Sequence, residues 1–269
     1  MLVVGEAINA TNKSVGQAIA QRDKEFLQNL ARDQAAAGAD YIDVNAGVGN
    51  GSLEEAAAAM EWLVDIVQEA TDKPLAIDSD SPEILKIALD KYRGNNLLIN
   101  SINAEPDRLI PIATLAAERH ASLVALAMGP KGIPDNVNDR LAACDMIMQQ
   151  VVRLGVKADQ VFFDPLVLPI SVDPNQGMIT LNTLREIKAH YPTAKTIMGL
   201  SNISYGLPGR GLINRAFLLM AAQVGLDSAI LNPLDTKAMT FIKVANMLTG
   251  NDPFCKTYIK AYRKGTLTE

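Results

Sequence analysis

The sequence contains few of the residues that bind soft metals or form disulfide bonds. It has two cysteines and two histidines in 269 residues. Cys144 and Cys255 lie far apart, and no histidine stands near either of them at a spacing typical of metal ligands. We therefore expect no zinc or iron–sulfur site, no disulfide framework, and a protein that works in a reducing compartment.

Long apolar runs and clusters of basic residues are also missing. No apolar run approaches the roughly 20 residues that a membrane-spanning helix needs, and residues 1–6 lack the charged start of a secretory signal. The net charge is −5 and the basic residues are scattered, which argues against general nucleic-acid binding. We expect a cytoplasmic protein that binds neither nucleic acid nor membranes.

Apolar strand-like runs alternate with helical patterns eight times, and no linker interrupts this alternation. The predicted strands are 2–6, 41–45, 75–78, 97–100, 123–128, 161–164, 196–199 and 228–231. The predicted helices are 15–37, 52–70, 81–92, 106–119, 138–154, 176–190, 211–224 and 235–248, with a further short helix at 253–263.

This alternation predicts an α/β protein with a (β/α)8 barrel that forms one domain over residues 1–269. A doubly wound open sheet shows the same alternation. Its dinucleotide-binding version is disfavoured because no Gly-x-Gly-x-x-Gly motif follows the first strand. Gly38, Gly155 and Gly225 each follow a predicted helix, which is typical of a left-handed cap that leads into the next strand.

Small and polar residues follow several of the predicted strands. In a barrel the active site lies at the C-terminal ends of the strands, so these residues should meet at one mouth. The set consists of Glu6, Asn9, Asp43, Asn45, Asp78, Asn100, Asn103, Asp164, Ser201 and Asn202. A mouth rich in Asp and Asn, and poor in Lys, His and Cys, favours a neutral heterocycle that offers amide-like donors and acceptors. Arg210, in the glycine-rich loop 206–211, can reach such a ligand from above.

Several of these residues also have a structural interpretation. Asp43 and Asn45 are of a type that caps turns or bridges neighbouring strands. Glu6 could brace the barrel mouth by hydrogen bonding, and Arg210 could be a solvated loop residue. The residue types alone leave both interpretations open.

Seven short stretches carry a more specific signal. They are Gly-Glu-Ala-Ile-Asn at 5–9, Asp-Val-Asn at 43–45, Ile-Asp-Ser at 77–79, Ile-Asn-Ser-Ile-Asn-Ala-Glu at 99–105, Asp-Pro-Leu-Val-Leu-Pro at 164–169, Gly-Leu-Ser-Asn-Ile-Ser at 199–204 and Leu-Ile-Asn-Arg at 212–215. Taken together they resemble the methyltetrahydrofolate:corrinoid-protein methyltransferases. This group of pterin-binding barrels also includes dihydropteroate synthase and the folate module of cobalamin-dependent methionine synthase.

The resemblance implies a pterin site that contains Asp78, Asn100, Asp164, Gly199, Ser201, Asn202 and Arg210. Within it, Asp78, Asn100 and Asp164 would hold the aminopyrimidine side of the ring. Asn202 would lie beside N5, the nitrogen that carries the methyl group. Glu6, Asn9, Asp43, Asn45 and Asn103 would support these contacts.

The resemblance also implies an activity, which is methyl transfer between N5 of 5-methyltetrahydrofolate and the cobalt of a partner corrinoid protein. Cobalamin would be carried by that partner rather than by this chain, and the enzyme would be a cytoplasmic homodimer. The pathway would be acetogenic one-carbon metabolism or a demethylation system for methoxylated or methylated-amine substrates. Transfer in the direction that forms methyltetrahydrofolate is as compatible with the sequence as the opposite direction.

N5 must gain positive character before the methyl group can leave it. Asn202 can donate a hydrogen bond to N5 but cannot supply a net proton. Asp164 is the nearest carboxyl by strand order, so we expect it to act with Asn202 in catalysis.

The sequence departs from the synthase members of the group. Those enzymes carry a lysine next to the strand-seven serine and a late Arg-x-His motif. Here Asn202 follows Ser201, and no histidine follows His190. A methyltransferase is therefore favoured over a dihydropteroate synthase.

Two further alternatives stay open. Asp43, Asp78 and Asp164 could bind magnesium in a barrel lyase, since carboxylates are the hard ligands that this ion prefers. The chain could also bind folate without catalysing transfer. A Schiff-base aldolase is disfavoured because Lys131 is the only lysine predicted in a loop at the mouth.

Overall fold

The computed structural model describes residues 1–47 and 52–268. The strands are β1 (Leu2–Asn9), β2 (Tyr41–Asn45), β3 (Leu75–Asp78), β4 (Leu97–Ile102), β5 (Ser122–Leu126), β6 (Val161–Asp164), β7 (Lys195–Gly199) and β8 (Ser228–Leu231). The α-helices are α1 (Lys13–Ala20), α2 (Lys24–Ala37), α3 (Leu53–Ala70), α4 (Pro82–Lys91), α5 (Pro106–Glu118), α6 (Val137–Arg153), α7 (Gln176–His190), α8 (Arg210–Gln223), α9 (Thr236–Leu248) and α10 (Lys256–Arg263).

The strands form a closed barrel in sequence order, and every neighbouring pair is parallel, including β8 with β1. The predicted (β/α)8 barrel is confirmed. The strand sequences are apolar over most of their length because both faces of the sheet are covered, one by the helices and the other by the barrel interior. The polar residues are confined to the strand ends.

An apolar cluster fills the lower part of the barrel. We call it the inner apolar layer, and its fully buried members are Val4, Ala76, Leu98, Val124, Phe162 and Ile197. Tyr41 of β2 packs against it. Because side chains alternate between the two faces of a strand, the residue two positions further along each strand also points into the barrel, one layer higher. This layer is where the chemistry-bearing residues begin.

Glycines end three of the helical segments as predicted. Gly38, Gly155 and Gly225 have φ angles of 104°, 101° and 109°. This left-handed conformation costs glycine little and turns the chain towards the following strand.

The single helix predicted for 15–37 is wrong. The chain instead forms α1 and α2, with Arg22 between them at a φ of 56°. Asp23 then caps α2, since its carboxylate accepts a hydrogen bond from the backbone N–H of Phe26 at 3.1 Å. The predicted helix 253–263 is also interrupted, because Pro253–Cys255 is a 3-10 turn and α10 begins only at Lys256.

Among the helices in the described part of the chain, none combines the length and the apolar composition needed to span a bilayer.

Candidate active site

A polar layer lies directly above the inner apolar layer, at the C-terminal ends of the strands. Its members are Glu6, Asp43, Asp78, Asn100 and Asp164. Each stands two positions after a residue that belongs to the inner apolar layer or, for Tyr41, packs against that layer. Gly199 occupies the corresponding position of β7, and a Cβ atom added there would meet no atom within 4 Å. The barrel mouth is therefore polar on several strands and open beside β7.

Two amide–carboxyl hydrogen bonds connect β2 to β3 and to β4 across the mouth. Nδ2 of Asn45 donates to Oδ2 of Asp78 at 2.8 Å, and Nδ2 of Asn100 donates to Oδ1 of Asp43 at 3.2 Å. Each asparagine thus donates one N–H of its amide to a carboxyl group. What the layer still offers a ligand is mainly acceptor oxygen, which suits a ring edge that carries N–H groups.

The buried carboxyl groups of this layer hold protons more tightly than exposed ones. Burial raises the pKa of Asp43 well above its usual range, and the charges of Asp78 and Glu6 raise it further against the hydrogen bond from Asn100. Burial also raises the pKa of Asp78, while the hydrogen bond from Asn45 lowers it. Ionising both of two neighbouring carboxyls in a poorly hydrated site is unfavourable. The pair therefore favours the state in which one of them keeps its proton.

Asp164 is the carboxyl of β6. Burial raises its pKa to about 7, against the hydrogen bond from the backbone N–H of Leu166 and the charge of Arg140. The Leu166 N–H donates to Oδ1 of Asp164 at 2.8 Å. Asp164 is therefore fixed in orientation and close to half-protonated at neutral pH.

Glu6 differs from the other carboxyls because none of the described residues hydrogen-bonds to its side chain. It lies on β1 where the register with β2 shifts, between Gly5 and Ile8. Burial raises the pKa of Glu6, and the charge of Arg210 opposes this rise. Both oxygens of a half-buried carboxyl are thus left for water or a ligand.

After β7, a 3-10 turn at Leu200–Ser204 carries Ser201 and Asn202. Asn202 is exposed, and its amide has no hydrogen-bond partner among the described residues. Arg210 donates to the backbone oxygen of Ser201 at 2.7 Å and to Oγ of Ser204 at 3.1 Å. The prediction that Arg210 lies within a loop is wrong, because it is the first residue of α8 and fastens this turn.

The remaining predicted residues, Asn9 and Asn103, accept hydrogen bonds within the loops that follow their strands. Oδ1 of Asn9 accepts hydrogen bonds from the backbone N–H and the hydroxyl of Thr11 at 3.0 and 2.7 Å. Oδ1 of Asn103 accepts from the N–H of Glu105 at 2.9 Å, immediately before α5. Nδ2 of Asn103 is buried and has no hydrogen-bond partner within residues 1–47 and 52–268.

A cavity of about 140 Å³ adjoins the mouth between β8, α8 and the start of α9. Glu6 and Ser201 line it, together with four further polar residues, Asn214, Arg215, Asn232 and Asp235. The residue pattern did not predict this cavity, because it arises from the packing of α8 and α9 against β8. The sequence signal closest to it is the stretch 212–215.

The sequence also did not identify Arg140 as a residue of the site. Its side chain is fully buried, and it donates to the backbone oxygens of Pro165 and Leu166 at 2.8 Å each, next to Asp164. A signal was present, because Arg140 shares the apolar stripe of α6 with Ala143, Cys144, Ile147 and Val151.

The metal-binding alternative finds no support in this geometry. Over the described residues, no group of three or more His, Cys, Asp or Glu side chains is arranged to hold a metal ion. Asp43 and Asp78 instead direct a carboxyl oxygen towards an asparagine amide.

Comparison with known proteins agrees with this geometry. The profile of the family described as pterin binding enzyme matches residues 5–232. A methylcorrinoid:tetrahydrofolate methyltransferase of Eubacterium limosum is 34% identical over 269 residues, which covers 99% of this chain and 98% of that protein. A methionine synthase of Mycobacterium leprae is 28% identical over 246 residues, which covers 86% of this chain and 20% of that protein.

Solved structures show the same fold. A dihydropteroate synthase from Xanthomonas albilineans, in complex with 7,8-dihydropteroate, superposes with a TM-score of 0.69 at 18% sequence identity. The superposition covers 94% of this chain and 93% of that one.

Proposed function

Because this chain belongs to the pterin-binding enzyme family, we propose that it transfers a methyl group between N5 of 5-methyltetrahydrofolate and the cobalt of a corrinoid carried by a partner protein. Methyltransferases of this kind and methionine synthases are among its relatives, and the chain is a methyltransferase. The observation that carries the proposal is the acceptor-rich polar layer, which lies beside an exposed amide, that of Asn202, with no protein partner among the described residues.

The polar layer suits the aminopyrimidine side of a pterin, which presents N–H donors. Asp78 and Asp164 supply carboxyl oxygens, and Asn100 supplies its amide oxygen while one N–H of its amide bonds to Asp43. Gly199 has no side chain, and the space where a Cβ atom would stand is open, which leaves room for a ligand beside β7. In this arrangement Asp43 and Asn45 act as positioning residues, since each fixes a group that contacts the pterin.

Asn202 is proposed to act on N5. As the N5–methyl bond breaks, its electron pair stays on nitrogen, and an N–H donor placed there stabilises the developing state. The side chain of Asn202 is free to donate in this way, and the turn that carries it is held by Arg210. In the opposite direction, the hydrogen bond from Asn202 to N5 would break as the lone pair of N5 attacks the methyl group.

The open mouth suits a second protein that carries the corrinoid. The loops around it leave Asn202 exposed rather than sealed from solvent. Four large apolar side chains are exposed, three of them in the segments that follow β5, β6 and β7 and the fourth in the first turn of α8. We call them the apolar rim, and they are Ile133, Val172, Tyr205 and Leu212. Such a patch beside a polar site is typical of a docking surface.

Following the family resemblance, we also propose that the enzyme is a cytoplasmic homodimer that serves acetogenic or demethylating one-carbon metabolism. The direction that forms methyltetrahydrofolate uses the same contacts as the reverse direction, so the site suits both.

A spectroscopic assay tests the proposed activity. The purified chain is mixed with methyltetrahydrofolate and cobalt(I) cobalamin, and methylcobalamin formation is followed with and without enzyme. We expect formation well above the uncatalysed rate. Folate binding with no transfer, either to free cobalamin or to a corrinoid protein, would instead indicate a non-catalytic folate-binding protein.

A further inference from the structure

The carboxyl group of Glu6 lies between the polar layer and the cavity beside α8. On one side it is close enough to Asp43 for its charge to raise the pKa of that buried carboxyl. On the other side it lines the cavity of about 140 Å³ together with Ser201, the residue before Asn202. No described residue hydrogen-bonds to the Glu6 carboxyl, so its proton is not tied to a protein partner.

Polar and apolar side chains both line the cavity, and the polar ones can bind water. A water molecule occupies roughly 30 Å³ of liquid volume and needs several polar neighbours, so this space has room for several. Its polar wall consists of Glu6, Ser201, Asn214, Arg215, Asn232 and Asp235. Water here would reach the mouth beside the turn that carries Asn202.

We infer that Glu6 relays the proton between water in this cavity and N5 of the bound folate. The inference rests on the proposed function. When the N5–methyl bond breaks, the methyl group forms its new bond with the electron pair of cobalt(I). As this bond breaks, N5 takes a proton from the Glu6 carboxyl through water and so leaves as a neutral amine. Water in the cavity returns a proton to Glu6, and in the reverse direction Glu6 accepts the proton from N5.

Asn202 and Asp164 are less suited to this task. An amide donates a hydrogen bond without giving up a proton at neutral pH. Oδ1 of Asp164 accepts the N–H of Leu166, and its other oxygen is used by the pterin in the proposed binding arrangement. The Glu6 side chain is a carboxyl that can give up a proton, and no described residue hydrogen-bonds to it.

The charged groups around Glu6 come from three other elements. Asp43 faces it from β2, Arg210 from the start of α8, and Arg215 and Asp235 stand in the cavity wall. Burial raises the pKa of Glu6, and the charge of Arg210 opposes this rise. A carboxyl whose pKa is raised by burial gives up a proton less readily than an exposed one, and it accepts a proton more readily.

The test compares Glu6→Gln with the wild-type enzyme in single-turnover methyl transfer across a pH series, alongside equilibrium folate binding. We expect Glu6→Gln to bind methyltetrahydrofolate within about twofold of wild type, to transfer roughly 10²-fold more slowly and to lose one limb of the pH profile. Asp164→Asn is the matched control, and its rate should fall together with its folate affinity.

The inference is overturned if Glu6→Gln keeps the wild-type rate and pH profile, or if its folate affinity falls as much as its rate. Should Glu6→Gln fail to fold, Glu6→Asp carries the test. It retains a carboxyl and should keep the pH-dependent limb at a reduced rate, and a flat profile would contradict the relay. Absence of transfer by the wild-type enzyme would instead overturn the proposed function.

Discussion

The guanidinium group of Arg140 holds the loop that follows Asp164. Nη1 of Arg140 donates two hydrogen bonds to this loop, one to the backbone oxygen of Pro165 and one to that of Leu166, at 2.8 Å each. Nε donates to the oxygen of Pro134 at 3.0 Å, so the arginine also connects the loop after β5. Leu166 has a φ of 65°, and its N–H donates to Asp164. A buried cation that has no carboxylate partner within hydrogen-bond distance among the described residues thus fixes the loop next to the carboxyl proposed to bind the pterin.

Arg140→Met should therefore lower the free energy of unfolding by about 2–4 kcal/mol, because buried carbonyl oxygens lose their donors at roughly 1–3 kcal/mol each. Urea unfolding measures this change. Arg153→Met is the matched control, since Arg153 is an exposed residue of the same helix, and it should change stability by less than about 0.5 kcal/mol. Equal stability of the two variants would mean that Arg140 does not hold the loop.

Folate binding should weaken as the pH falls below about 7, the pKa to which burial raises Asp164. The pterin N–H groups need an ionised acceptor, so binding favours the deprotonated form. Above this pKa the carboxyl is ionised and affinity should be constant with respect to this group. Below it, the association constant should fall by up to about tenfold per pH unit.

The measurement is the folate association constant between pH 5.5 and pH 8.5 for wild type and Asp164→Asn. The asparagine variant should bind more weakly at high pH and show a shallower slope, and the difference between the two curves removes protonation of the folate itself. Parallel curves would show that Asp164 does not accept from the ligand.

Asp78→Ala should weaken methyltetrahydrofolate binding by roughly 1–3 kcal/mol, because it leaves a pterin N–H and the amide of Asn45 without an acceptor. Isothermal titration is the direct measurement. Asp80→Ala provides the control, since Asp80 is an exposed residue two positions further along the chain and should bind as wild type does. Wild-type affinity in Asp78→Ala would place the pterin elsewhere.

The apolar rim should matter for a protein partner and not for free cobalamin. The double variant Val172→Asp, Leu212→Asp adds two negative charges to side chains that are 81% and 71% exposed. We expect transfer with the corrinoid protein to fall at least about tenfold in kcat/KM, while transfer with free cobalamin stays within about twofold. Phe254→Asp is the control, because Phe254 follows α9 at the opposite end of the barrel and is 86% exposed. A rim variant as active as this control would exclude the rim as the docking surface.

The sequence predicted the barrel and most of its polar layer because each strand carries its own signal. In Phe162-Phe163-Asp164 an apolar run ends in one polar residue, and the period of two along a strand then places Asp164 above Phe162 inside the barrel. The strand order that brings these ends together follows from the βα alternation.

Other features depend on conformations and packing that residue types alone do not specify. Arg22 adopts a left-handed conformation that is uncommon for arginine, so the break between α1 and α2 carries no strong local signal. Arg210 stands beside two glycines, and only the position of the 3-10 turn shows that it begins α8 and bonds Ser201. The cavity beside Glu6 exists only once three elements have packed together.

The proposed role of Asn202 can be measured most directly by comparing single-turnover methyl transfer with equilibrium folate binding in wild type, Asn202→Ala and Asn202→Asp. If the amide bonds N5 most strongly as charge develops there, Asn202→Ala should slow transfer by on the order of 10²–10³, while folate affinity falls much less. Asn202→Asp keeps the shape but offers an acceptor at neutral pH, so it should transfer no faster than Asn202→Ala. Equal losses of rate and affinity in Asn202→Ala, or no loss of either, would contradict the account.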